Sequence, residues 1–138
     1  MKITELPLSS NKQINKIQDV AKKFRMLANA DAEHLIIQYL DEGAYDLGAE
    51  LVQIGDSRSG KIPLVQIVRK ILLSGASRII VIHNHPGDTC LPSEPDKQFT
   101  DELNLACNTI GVLMHDSIII AAESFYSFSK KSEIVYED

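Results

Sequence analysis

The chain has 138 residues, 44% of them hydrophobic, which is enough for one compact domain with its own apolar core. Its formal net charge is −5 and its basic residues are scattered, so a concentrated basic face of the kind that binds nucleic acid is not expected. The chain has two cysteines, no apolar run near the roughly 20 residues that span a bilayer, and no apolar core in residues 1–5, which argues against a secreted or membrane protein and favours the cytoplasm.

A first helix is predicted in the N-terminal region. Apolar residues recur at helical spacing over residues 14–28, and Ser10 or Asn11 can cap the start of the helix. We expect the helix to end near Asn29. The segment carries five basic residues, Lys12, Lys16, Lys22, Lys23 and Arg25. We interpret them as the solvated face of the helix, and the alternative is a surface that binds a partner or nucleic acid.

A hairpin and a second helix are predicted next. Residues 33–40 are rich in apolar and β-branched side chains and precede a turn-like Asp-Glu-Gly, so they are expected to pair with residues 45–54. Glycine and serine mark residues 55–60 as a loop. Pro63 suits the first turn of a helix that ends near Gly75.

The C-terminal half begins with the apolar run 78–83, which predicts a strand buried on both faces. A third helix is expected from Ser93 to about Ile110, stopped by Gly111. Residues 112–122 and 124–128 are predicted as closing strands, and the charged residues 130–138 as a partly loose tail. Together these elements predict an α/β layered fold, a central mixed sheet flanked by helices.

Two histidines separated by one residue end the predicted buried strand. In an extended strand residues i and i+2 project to the same side about 6.6 Å apart, so His83 and His85 can bind one ion. The turn-rich segment 86–92 can bring back Asp96 as an oxygen ligand, which leaves one tetrahedral position open, as in catalytic zinc sites. Alternatively, Ser93 and the acidic residues after it are an ordinary helix N-terminus. Both interpretations can hold, because a capped helix start orients Asp96 rigidly.

This spacing, His-x-His, seven residues, Ser, two residues, Asp, resembles the JAMM motif of the JAB/MPN metalloproteases. The sequence His-Asn-His-Pro at residues 83–86 is most similar to the RadC-like branch of this family, and the similarity extends over about residues 10–130. The resemblance implies a single RadC-like JAB/MPN domain over residues 1–138 with the layered fold of that family. We expect no helix-hairpin-helix domain, the module that precedes the catalytic domain in full-length RadC proteins.

The resemblance also implies roles for individual residues. One Zn²⁺ would be held by His83, His85 and Asp96, with Glu33 as the general base and Ser93 as a hydrogen-bond donor to the oxyanion. The alternatives are that Glu33 is an ordinary surface glutamate and that Ser93 serves only as a helix cap. Further candidates are Asp116 as an outer hydrogen-bond partner of a ligand histidine, Asn84 as a residue that bonds the neighbouring backbone, Cys90 as an extra ligand, and His34 and His115, for which structural roles are favoured.

The function expected from these residues is that of a zinc-dependent hydrolase of JAMM type, which cleaves peptide or isopeptide bonds in a protein substrate with metal-activated water. The alternative is a non-catalytic binding or scaffold module of the RadC type, associated with DNA repair or nucleic acid. A zinc deaminase requires His-x-Glu and Pro-Cys-x-x-Cys, and the chain has neither.

Overall fold

Helices and strands alternate along the chain. The computed structural model describes residues 6–7, 9–55, 64–86 and 89–137, with residues 53–55 described by their backbone alone. The elements in order are α1 (Ile17–Lys23), a 3-10 helix (Arg25–Asn29), β1 (Glu33–Leu40), β2 (Asp46–Gly55), α2 (Leu64–Ser74), β3 (Arg78–Asn84), α3 (Glu94–Thr109), β4 (Leu113–Ile120), β5 (Ser124–Ser127) and β6 (Ser132–Val135). The predicted loop at 56–60 and Pro63 lie outside the described residues.

The strands form one mixed sheet in the order β2-β1-β3-β4-β5-β6. β1 runs antiparallel to β2 and to β3, β3 and β4 are parallel, and β4, β5 and β6 are antiparallel. The parallel pair is joined through α3, since parallel neighbours need a crossover connection. β3 lies inside the sheet and is buried after its first residue, as its apolar run predicts. The predicted α/β fold with a mixed sheet is confirmed.

The two faces of the sheet carry separate apolar cores. Ile80 and Ile82 pack with α1 and the 3-10 helix, whereas Ile79 and Val81 pack with α2 and α3. This follows from the alternation of side chains along a strand. The pairing of β3 continues one residue further, because the backbone N–H of His85 donates to the carbonyl of Ile120. The end of β3 therefore presents its odd-numbered side chains on the α2–α3 side of the sheet.

The predicted first helix is wrong at its start. α1 begins at Ile17 without a side-chain cap, and the last part of the predicted helix is a 3-10 helix. Asn11 has a φ of 55°, and Ser10 donates to the carboxylate of Asp46 rather than capping a helix. Contacts of this segment with the start of β2 thus override its helical periodicity.

The charged C-terminal segment is also more ordered than predicted. Residues 132–135 form β6, which pairs antiparallel with β5. Tyr136 anchors the segment, because its buried ring packs in the core against Phe125 and its hydroxyl donates to the carbonyl of Ala121. The segment is mostly charged, so its composition predicted a loose tail. Its order depends on the burial of a single aromatic side chain, which composition does not reveal.

Asp46 is a buried charge that holds the N-terminal segment on the sheet. Its carboxylate accepts hydrogen bonds from the backbone of Ser10 (3.0 Å) and Gly48 (2.7 Å), and from the side chains of Lys23 (3.0 Å) and Gln38 (2.7 Å). Burial by itself raises the pKa of Asp46, but these hydrogen bonds outweigh burial and hold the pKa well below its usual range.

Replacing Asp46 by asparagine is expected to weaken the acid sensitivity of the fold. A carboxyl with a depressed folded-state pKa stabilises the protein above its unfolded pKa of about 3.9, and this contribution disappears as the pH falls, because the unfolded state then binds more protons. Asp46→Asn should therefore be less stable than wild type at neutral pH, and the difference should shrink in acid. Urea unfolding across this pH range measures the effect, with exposed Asp101→Asn as control. If the free energy of unfolding of wild type and of Asp46→Asn changed in parallel with pH, the expectation would be wrong.

No helix in the described part of the chain is long and apolar enough to cross a membrane.

Candidate metal centre

The end of β3 places two imidazoles side by side. His83 and His85 project to the same face of the sheet, and their ring centroids are 5.2 Å apart. His83 is 9% exposed and His85 is half-buried. The centre therefore sits at the mouth of the core between β3 and α3, where solvent reaches one imidazole more than the other.

A capping box at the start of α3 directs the third group. The hydroxyl of Ser93 accepts a hydrogen bond from the backbone of Asp96 (3.2 Å), and the Asp96 carboxylate accepts one from the backbone of Ser93 (2.8 Å). The positive end of the helix dipole favours a negative side chain at this place. The predicted helix cap is confirmed, and it holds the Asp96 carboxylate in one orientation.

These three side chains converge on one point. Asp96 Oδ1 lies 3.3 Å from Nε2 of His83, and its Oδ2 lies 2.9 Å from Nε2 of His85. The three potential ligand atoms all lie within 4.8 Å of one another. Ligands about 2.1 Å from a tetrahedral zinc ion are about 3.4 Å apart. Two of the separations are close to this value and the third is at most 4.8 Å, so the cluster could hold one metal ion.

The charges of the cluster keep Asp96 ionised. Burial raises the pKa of Asp96, but the neighbouring imidazoles of His83 and His85 and the backbone of Ser93 outweigh burial and hold the pKa far below its usual range. The pKa of His85 is raised, chiefly by the hydrogen bond with Asp96 and against the effect of burial. Asp96 is thus an ionised oxygen donor at neutral pH.

Glu33 approaches the cluster through strand pairing. The pairing of β1 with β3 ends at Leu35 and His83, so Glu33 lies two residues before this pair on β1 and His85 two residues after it on the neighbouring chain segment. Its negative charge contributes to the raised pKa of His85. Glu33 is partly buried and is the first residue of β1. The sheet therefore brings a fourth acidic or basic group to the cluster from a distant part of the sequence.

Asn84 lies between the two histidines in sequence and on the opposite face of β3. Its buried side chain donates to the carbonyls of Leu27 and Ala32, each at 3.0 Å, and accepts a hydrogen bond from the backbone of His34 at 2.6 Å. These bonds join the 3-10 helix and the first residues of β1 to the end of β3. Asn84 thereby holds the strand start that carries Glu33 beside the histidines.

Other candidates from the sequence lie away from the cluster. The carboxylate of Asp116 accepts hydrogen bonds from Ser127 and from the backbone of Ser129, and no histidine is among its partners in the described ranges, so the structure gives no support to Asp116 as a partner of His83 or His85. Cys90 is buried, its thiol lies 3.5 Å from the hydroxyl of Ser124, and burial raises its pKa, so it packs in the core and is not part of the cluster of potential ligands. His34 is buried and His115 is exposed.

Two polar residues that the sequence did not point to, Thr100 and Ser117, are buried on the same side of the sheet. A hydroxyl within a helix or strand is too common to be a signal. The spacing of four residues between Asp96 and Thr100 is the one clue, because it places both on the same face of a helix.

Comparison with known proteins agrees with the family resemblance seen in the sequence. The chain matches the family model of the RadC-like JAB domain over residues 14–134. UPF0758 proteins of Streptococcus pyogenes serotypes M49, M1 and M18 are each 30% identical to it over 121 residues, which make up 88% of this chain and 54% of each relative. The chain thus spans about half the length of the curated relatives it matches.

Proposed function

This chain belongs to the RadC-like JAB domain family, and from that membership we propose that it is a zinc-dependent hydrolase of JAMM type that cleaves peptide or isopeptide bonds. The observation that carries the proposal is the convergence of His83, His85 and Asp96 beside the end of β3, with Glu33 close enough to act on His85. Because the relatives are about twice as long, the activity of the whole protein is part of the proposal.

The donor set fits zinc. Two imidazole nitrogens and one carboxylate oxygen are typical ligands of catalytic zinc sites, which keep a further position for water or substrate. Nε2 of His83 is buried and faces Asp96 Oδ1 at 3.3 Å without a well-formed hydrogen bond, and a metal ion held between these two atoms explains the arrangement. When bound there, zinc supplies Lewis acidity, which lowers the pKa of water to about 7 and polarises a carbonyl oxygen.

Glu33 is the group proposed to move the proton. Amide hydrolysis requires a base that takes a proton from the attacking water and an acid that protonates the leaving amine. The Glu33 carboxylate, whose charge acts on His85, can take the proton at Oε1 or Oε2 and pass it on. It does so without being one of the three ligands.

Ser93 is proposed to donate a hydrogen bond to the carbonyl oxygen under attack. The helix cap uses the Ser93 hydroxyl as an acceptor, so its hydrogen is available for donation, and the side chain is exposed beside Asp96. A donor of this kind typically contributes about 2.7 to 4 kcal/mol to lowering the barrier.

The proposed substrate is a protein or peptide, since the chemistry is that of amide hydrolysis and the net charge of −5 gives no attraction for nucleic acid. A cytoplasmic location is proposed as well. Both cysteines are free, which agrees with a reducing compartment.

Purified wild-type protein is expected to bind about one zinc ion per chain, and Asp96→Ala to bind zinc at least tenfold more weakly, because even outer partners of zinc ligands contribute 10- to 100-fold in affinity. Titration calorimetry and metal analysis measure this. Asp19→Ala is the matched control, since Asp19 is an exposed aspartate in the first turn of α1. Hydrolysis of a peptide and isopeptide library should stop with a chelator and return with zinc. Equally weak zinc binding by wild type and Asp96→Ala would end the proposal.

A further inference from the structure

A cleft of about 390 Å³ lies between α3, β4 and the residues of and after β5. Such a volume is at the small end of the range for small-molecule sites, roughly 300 to 1,000 Å³. It is separate from the three ligand side chains, none of which lines it. Thr100 of α3, Ser117 of β4 and Tyr126 of β5 are among the residues that do.

The cleft opens on the same side of the sheet as the metal centre. Thr100 lies four residues after Asp96 on α3, so their side chains share a helix face with Cβ atoms about 5 to 6 Å apart. On β4, Ile118 and Ile120 pack in the core on the α1 side, so Ser117 faces the α3 side. Ser117 also pairs with Val81, two residues before His83.

Two hydroxyls of the cleft lack partners. Thr100 Oγ1 and Ser117 Oγ are buried and have no hydrogen-bond partner within the described ranges, and their residues are 7% and 1% exposed. Buried polar groups are nearly always hydrogen-bonded, so two unpaired hydroxyls in one cleft indicate a partner that enters it. Rotation about χ1 moves each hydroxyl between staggered positions and can turn it toward the cleft.

The lining indicates an uncharged polar ligand. Two lysines, two aspartates and one histidine line the cleft, so with histidine counted as neutral at pH 7 the formal charges cancel: Lys97, Lys131, Asp101, Asp116 and His115. A hydroxyl both donates and accepts hydrogen bonds, and an amide group does both as well.

The walls and the depth of the hydroxyls restrict the ligand further. The rings of Tyr126 and Phe128 pack edge to face, with their centroids 5.1 Å apart, and both line the cleft. They offer an apolar surface to the aliphatic part of a ligand. The hydroxyl oxygens are out of contact with solvent in their present rotamers, so a ligand reaches them only when rotation about χ1 turns them toward the cleft. The end of an inserted side chain is narrow enough to meet them there.

We propose that this cleft binds the carboxamide side chain of a substrate residue close to the bond that is cleaved, with hydrogen bonds from Thr100 and Ser117. That the ligand is part of the substrate depends on the proposed function. Carboxamide binding itself does not, because the cleft shares no side chain with the ligand set.

Nuclear magnetic resonance titration of zinc-free ¹⁵N-labelled protein tests the inference. The probes are N-acetyl-glutamine methylamide and, as a matched apolar compound, N-acetyl-methionine methylamide, with N-acetyl-alanine methylamide for the backbone amide alone. The glutamine compound is expected to shift the signals of residues 100 and 117 and their neighbours, and the other two to shift them much less. Equal shifts with all three, or none at these residues up to the solubility limit, would overturn the inference.

The double variant Thr100→Val, Ser117→Ala separates binding from folding. It is expected to bind the glutamine compound at least tenfold more weakly and to melt no lower than wild type, because it removes buried hydroxyls that have no partner. Thr109→Val, on the exposed face of the same helix, is the control and should bind as wild type does. Unchanged affinity, or a lower melting temperature of the double variant, would show that the hydroxyls serve the fold instead.

Hydrolysis assays distinguish this inference from the proposed function. With a glutamine-containing peptide, the double variant should raise KM and leave kcat and zinc affinity nearly unchanged. If the double variant hydrolyses the peptide with an unchanged KM, the inference about the cleft is wrong and the proposed function stands. If the protein never binds zinc but shows glutamine-dependent shifts, the proposed function is wrong and the inference about the cleft stands.

Discussion

Replacing Glu33 by glutamine is expected to lower the rate of peptide hydrolysis by about 10²- to 10⁴-fold, the range that a positioned general base contributes, while zinc affinity changes little. Glutamine has nearly the same size but cannot take up a proton at neutral pH. Glu33 lies near enough to His85 for its charge to act on that imidazole but is not one of the three clustered ligands, so the metal centre should survive the change.

Measurement of kcat at saturating zinc, with titration calorimetry for the metal, checks both halves of this expectation. Glu42→Gln is the matched control, because Glu42 is an exposed glutamate just past the other end of β1 and should keep wild-type activity. Activity retained in Glu33→Gln would remove Glu33 from the role of base. Loss of zinc together with activity would show that Glu33 acts on the metal site instead.

Replacing Asn84 by alanine is expected to destabilise the fold by about 2 kcal/mol. The buried Asn84 side chain satisfies the backbone N–H of His34, and a buried group left unpaired costs about 1 to 3 kcal/mol. The carbonyls of Leu27 and Ala32 lose less, because Leu27 also accepts from the backbone N–H of Ala30 and Nδ1 of His34 lies 2.9 Å from the carbonyl of Ala32. The same change should loosen the start of β1, so hydrolysis should fall more than zinc affinity does.

Urea unfolding of the two proteins measures the stability difference. Asn108→Ala, an exposed asparagine of α3, is the control and should change stability by less than about 0.5 kcal/mol. A loss below about 1 kcal/mol in Asn84→Ala would mean that water replaces its hydrogen bonds. The link between the 3-10 helix, β1 and β3 would then have to come from other contacts.

Several elements follow from local sequence. β1 spans Glu33–Leu40 and β3 spans Arg78–Asn84, close to the ranges that their apolar, β-branched runs predict. α3 begins directly after Ser93, as its capping residues predict. In each case a short-range rule and the tertiary environment favour the same structure, so the pattern is sufficient.

Where the two disagree, tertiary contacts win. The segment before α1 has helical periodicity, yet Ser10 binds Asp46 and residue 13 bridges to Tyr45. The C-terminal segment is polar, yet it forms β6 because β5 offers a free edge and Tyr136 finds a buried site. Neither partner is near in sequence, so no local pattern signals the contact.

The candidate site divides in the same way. The sequence by itself determined that His83, His85 and Asp96 come together, because alternation along one strand and a cap on the following helix are short-range geometry. Only the tertiary structure decided that the start of β1 brings Glu33 close to His85 and that Thr100 and Ser117 share a cleft. Those positions depend on strand register and on packing of α3 against β4, which are set by contacts between residues far apart in the chain.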